Sequence, residues 1–72
     1  MLHRRDPEQG IARFYSPMIE RDLFGRVVMV RNRGRIGTNG RELVEEFAGE
    51  IEAGLALEAV AQAKRRRGYR DL

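Results

Sequence analysis

Between positions 31 and 41 the chain reads RNRGRIGTNGR, four arginines and three glycines in eleven residues. Guanidinium is a rigid, permanently charged fork that matches phosphate or carboxylate, and it stacks on flat groups. Glycine tolerates tight turns and lets a backbone approach a ligand closely. Together they suit contact with phosphate groups, which positions a nucleic acid without reading its bases. A plainer arrangement uses the same residues. The glycines make a hairpin, and the arginines are solvated or pair with Glu42, Glu45 and Glu46.

Other chemistries fit poorly. Gly34, Gly37 and Gly40 recur every third residue, which matches neither a dinucleotide-binding GxGxxG nor a P-loop, and no Lys-Ser/Thr pair follows them. Glu45 and Glu46 are adjacent, so on a strand they point to opposite faces and cannot act as an acid–base pair. There is no cysteine, and the single histidine, His3, sits near the chain start. No enzymatic activity, metal or cofactor is expected.

The charge is segregated along the chain. A net charge of +3 conceals two basic blocks around an acidic one. Residues 21–41 carry six arginines against Asp22, residues 42–58 carry six glutamates and no base, and residues 64–72 carry Lys64 and four arginines against Asp71. Thirteen of the fourteen basic residues are arginine, and Lys64 is the only lysine.

These residues must be held by a small framework. Seventy-two residues make one domain. A core of that size leaves a margin of about 3–5 kcal/mol, too little to support a deep catalytic cavity. Residues 1–9 read as a flexible lead-in and 10–72 as the domain. Strands are predicted near 12–19, 26–31, 35–38 and 41–47. Pro17 marks the first as an edge strand, and Asn32–Gly34 bends the second. Asn39-Gly40 is a hairpin signal, because both residues tolerate positive φ.

From about residue 51 to 66 the period becomes helical. Ala53, Ala56, Leu57, Val60, Ala61 and Lys64 form one stripe, flanked by Ile51, Leu55 and Ala59. Acids fill the first turn and bases the last, and Gly68 stands where a helix ends. Phe14, Phe24 and Phe47 read as core, and Tyr69 as a lid over the helix end. Lys64 lies on the inner stripe and should snorkel toward a carbonyl or carboxylate. The fold class is α+β: a small twisted antiparallel sheet of four or five strands with one C-terminal helix packed across it.

Several residues in this order carry a family resemblance. Arg13-Phe14-Tyr15, Asp22-Leu23-Phe24-Gly25, Arg33-Gly34-Arg35-Ile36-Gly37-Thr38-Asn39-Gly40, Phe47, Ala53, Lys64 and Gly68-Tyr69 resemble the WGR domain over roughly residues 10–70. That domain occurs in poly(ADP-ribose) polymerases and as small stand-alone bacterial proteins. The resemblance implies an antiparallel sheet crossed by one helix. In the polymerases the domain binds DNA breaks through the tryptophan and arginine of its name motif and contacts neighbouring domains. Here the motif reads Arg33-Gly34-Arg35, so the glycine and arginine carry over and the aromatic stacker does not.

The resulting expectation is a non-catalytic module that binds nucleic acid through Arg31, Arg33, Gly34, Arg35 and Arg41. DNA, at ends and breaks or along its backbone, is the expected partner, with RNA left open. The alternative is a protein-interaction module whose basic ridge docks an acidic partner surface. No membrane partner is expected, since no run approaches 18 apolar residues and no apolar stretch follows the first charges. A cytoplasmic location follows, nucleoid-associated if the partner is DNA.

Overall fold

Val27-Val-Met-Val30 is the most β-prone run in the chain, and strand β3 grows from it. A computed structural model of the protein describes residues 1–71. The elements are β1 (Leu2–Asp6), β2 (Ile11–Arg21), β3 (Val27–Arg35), β4 (Arg41–Phe47), helix α1 (Glu50–Arg66) and β5 (Arg70–Asp71). They build one five-stranded antiparallel sheet in the order β4-β3-β2-β1-β5. The α+β architecture expected from sequence is the one observed.

Four local expectations change. Residues 1–9, read as a lead-in, contain β1, which pairs with β2 from Leu2↔Tyr15 to Asp6↔Ile11 and buries Leu2. Short apolar content hid it, since only Leu2 of that strand reaches the core. Strand β2 is therefore internal over its first half. Pro17 lies beyond Tyr15, the last residue β1 reaches, so the ring faces no missing partner on that side. Strand β3 runs unbroken to Arg35, because Asn32 and Gly34 are held extended by Ser16 and Phe14 across the ladder. Residues 36–38 consequently form the turn and not a strand. Phe24 is 81% exposed instead of core. It stands at the tip of the β2–β3 turn, where Asp22 Oδ1 accepts hydrogen bonds from the N–H groups of Phe24 and Arg26. Those backbone donors, Arg26 foremost, hold the Asp22 carboxyl below its ordinary pKa against some desolvation.

Because side chains alternate along a strand, the registers assign every residue to a face. One face carries Leu2 and Arg4 from β1, Arg13 and Tyr15 from β2, Val27, Met29, Arg31, Arg33 and Arg35 from β3, and Arg41 and Leu43 from β4. Helix α1 crosses this face. Ala53 and Ala61 are its buried residues, and small side chains there let the helix sit close to the strands. Leu2, Tyr15, Ala61 and Tyr69 form a buried cluster with Val60 against it, and Met29 is the largest side chain fully enclosed. The expected stripe holds, but its flanks do not: Ile51 and Leu55 face outward.

The helix ends as its sequence implies. The Tyr69 N–H donates to the Lys64 carbonyl and the Gly68 N–H to that of Arg65, with Gly68 at φ +96°. This left-handed close turns the chain back so that Tyr69 enters the core and β5 can pair with β1. Among the described residues, no helix is long and apolar enough to cross a membrane.

If β1 belongs to the core, Leu2→Ala should lower unfolding free energy by about 2–5 kcal/mol in denaturant titration, as other buried leucines do. Leu23→Ala, at a fully exposed position, should leave it unchanged. A neutral Leu2→Ala would return the segment to a lead-in.

Candidate nucleic-acid interface

The β3–β4 turn is built by two glycines in close approach. A β-carbon on Gly34 would come within 2.7 Å of the Gly40 Cα, and one on Gly40 would press on the Arg33 carbonyl and the ring of Phe14. Phe14 is the cross-strand partner of Gly34, so its ring covers the space the glycines leave. Gly37 and Gly40 take positive φ, whereas Asn39 does not. The hairpin expected at Asn39-Gly40 is present, but as a wider loop over residues 36–40. Thr38 closes it by donating from Oγ1 and from its N–H to the Arg35 carbonyl, and Ile36 N–H ties it to the Ala12 carbonyl.

This turn sets the register that brings the arginines together. Arg31, Arg33 and Arg35 share the helix-side face of β3, and Gly34 points to the other face. Arg33 lies opposite Arg41 on β4, Arg35 lies opposite Arg13 on β2, and Arg13 in turn lies opposite Arg4 on β1. Like charges directly opposite each other on a sheet are destabilising. Three such pairs on one face of a small sheet work against the fold.

The carboxylates do not relieve them. Arg21 pairs with Glu50, Arg26 with Asp22 and Glu46, Arg31 with Glu45, and Arg65 with Glu58 and Asp71. Among the described residues, Arg4, Arg13, Arg33, Arg35, Arg41, Lys64 and Arg67 have no carboxylate within salt-bridge distance. Of the two forms of the plainer arrangement, pairing holds for Arg31, whose Nη2 is 3.3 Å from Glu45, and solvation for Arg33, Arg35 and Arg41, which are exposed. Arg31 also has a buried Nε with no hydrogen-bond partner.

Helix α1 adds what the sequence did not bring to this face. Lys64 Nζ sits 4.6 Å from the centre of the Tyr15 ring and 5.3 Å from that of Tyr69. It does not reach a carbonyl or carboxylate, as snorkelling would predict. Burial pushes its pKa down, and the guanidinium groups of Arg67, Arg33, Arg13 and Arg31 push it further. The tyrosine faces favour the charged form and act the other way.

Two hollows open between helix end and sheet. The larger, of about 520 Å³, is walled by Arg13, Arg33, Arg35, Arg41, Lys64 and Tyr69 among others. The smaller, of about 240 Å³, includes Tyr15, Arg31, Leu43 and Arg67, and the two share Arg33 and Lys64. Of the predicted site residues, Arg33, Arg35 and Arg41 are exposed around the first hollow with Gly34 in its wall, while Arg31 lines the second. Arg13, Lys64 and Arg67 join them in the walls, and Arg4 lies opposite Arg13 on the same face. Arg13 was legible only to a reader who extended β3 to Arg35 and paired it with β2.

The fold and the site define a small α+β module with a concave cationic face. The WGR domain family model matches residues 1–72, and the chain belongs to that family. It is 41% identical over 69 residues to an uncharacterised protein, y4dW, of Sinorhizobium fredii. The match covers 96% of this chain and 34% of that protein, so the chain spans about a third of its relative's length. No solved structure matches it significantly.

Two outcomes follow from this geometry. Gly34→Ala should cost about 1–3 kcal/mol in stability, because the added methyl overpacks against backbone. Lys64 binds its proton more weakly folded than unfolded, so stability should rise as pH climbs through the depressed value toward the ordinary lysine range, about 10.4. Thermal melts across that window should show the rise, and Lys64→Met should flatten it. An unchanged profile in Lys64→Met would remove the charge-repulsion account of this site.

Proposed function

We propose that the protein is a non-catalytic module that binds the backbone of nucleic acid, DNA in the first instance, with weak sequence preference. The observation that carries this reading is the arginine-against-arginine register: Arg33 opposite Arg41, and Arg35 opposite Arg13, with no carboxylate to neutralise either pair. A cationic face that destabilises the protein alone is relieved when an anionic partner covers it. Phosphates at the spacing of a nucleic-acid backbone meet that need, and guanidinium binds them through paired hydrogen bonds. Membership of a family found in DNA-break-sensing polymerases supports the same direction.

Arg33 decides the mode. It takes the place of the family's tryptophan, lies opposite Tyr15 across the ladder, and projects beside Lys64 at the mouth of both hollows. A guanidinium there adds a phosphate contact where an indole would stack on an exposed base. Binding along the backbone is therefore favoured over capping of strand ends.

Fluorescence anisotropy with open-ended and circular duplex at a series of salt concentrations tests this. Log affinity should fall steeply against log salt. Arg33→Ala should weaken binding by about 1–3 kcal/mol and flatten the slope by about 0.9, one phosphate's worth. Arg70→Ala removes the same charge from the opposite face of the sheet and should change little. Arg33→Trp should lose the same salt dependence and gain preference for open ends, because stacking contributes about 1–3 kcal/mol per base. Salt-independent or absent duplex binding would overturn the proposal and leave this face as a dock for an acidic protein surface.

A further inference from the structure

We propose that Lys64 is an acylation site, at which a small acyl phosphate docks its phosphate among the arginines of the larger hollow and transfers its acyl group to Nζ. The inference rests on the hollow's reading as an anion site and adds a covalent event that would regulate it.

Lys64 is the only lysine in the chain, so every other cation on the face is a guanidinium that cannot be acylated under ordinary conditions. Its Nζ is not engaged by any carboxylate among the described residues and lies against the rings of Tyr15 and Tyr69 at the hollow's wall. Arg13, Arg33, Arg35 and Arg41 share that wall. A space of about 520 Å³ admits a molecule of a dozen heavy atoms or fewer with room to orient it.

The hollow therefore presents on one wall the two groups that the reaction needs: exposed guanidinium groups for a phosphate, and an amine for the carbonyl joined to it. Burial and the neighbouring guanidinium groups hold the amine below its ordinary pKa, which raises the fraction carrying a free lone pair at neutral pH. The nitrogen lone pair attacks the carbonyl carbon, and a C–N bond forms. The bond from that carbon to the phosphate oxygen breaks, inorganic phosphate departs with the electron pair, and the surplus proton on nitrogen passes to solvent or to the leaving phosphate. No oxidant or reductant is required. The arginines stabilise the charge that develops on the departing group.

The product is a neutral amide where a cation stood. One charge leaves a crowded cluster, so the acylated protein should be more stable and bind polyanions less well. The face would then be tuned by the acyl-phosphate level of its surroundings.

The test uses the full chain with acetyl phosphate near neutral pH, followed by intact mass and peptide mapping. A synthetic peptide of residues 60–70 provides the unfolded rate. Lys64 in the folded chain should react several-fold faster than in the peptide. Inorganic pyrophosphate should protect it, and Arg13→Gln with Arg33→Gln should bring the rate down toward the peptide's. Acetic anhydride, which has no phosphate to dock, should show a smaller folded-to-peptide ratio. The acetylated protein should also lose about 0.9 from the salt slope of duplex binding if Lys64 contacts a phosphate. A folded rate no greater than the peptide's, with salt-dependent duplex binding intact, would overturn acylation alone. Loss of both pyrophosphate protection and salt-dependent duplex binding would overturn the anion-site reading together with it.

Discussion

Gly34 and Gly40 meet where neither could carry a side chain, and the ring of Phe14 rests over the contact. This approach fixes where β3 stops and β4 begins, and hence which residues stand opposite one another. A slip of one residue in β3 would carry Met29 out of the core and turn the three arginines away from the helix. Core and cationic face are thus two ends of the same register. Val27 and Met29 lie at one end of a strand row whose other members are Arg31, Arg33 and Arg35. The fold cannot bury the first two without presenting the rest.

Much of this was legible in the residues because it depends on local signals. The β-branched run at Val27, the helical stripe through Ala53 and Ala61, and Gly68 past the helix end each state their structure within a few positions. The misreadings came where pairing partners decide. Asn32 and Gly34 are poor strand formers, yet Ser16 and Glu42 hold the first extended from both sides and Phe14 holds the second from one. Leu2–Asp6 is polar at four positions in five, and its strand identity comes from β2 and β5. Phe24 has core composition and a tip location, because the Asp22 turn dictates the direction of the chain.

The site shows the same division. Arg33, Arg35 and Arg41 could be picked out by clustering, and they do converge. Arg13 and Lys64 could not, since one is brought in by strand register and the other by the helix's descent onto Tyr15. The pairing of glutamates with arginines also depends on geometry. Glu45 reaches Arg31, whereas Glu42 falls on the other face from Arg33 and Arg41. Acidic residues adjacent in sequence therefore leave the field uncompensated.

The molecule measures 44 × 23 × 16 Å, and its opposite charges are displaced along it. Glu20, Asp22, Glu45, Glu46, Glu50 and Glu52 gather around the β2–β3 turn and the helix start, while the unpaired arginines gather around the β3–β4 turn and the helix end. Such a separation of charge gives the body a permanent dipole. If the partner is the anionic polymer proposed above, its field would turn the body before contact so that the Gly34 end leads. On the proposed function, the charge separation would direct each encounter to one face.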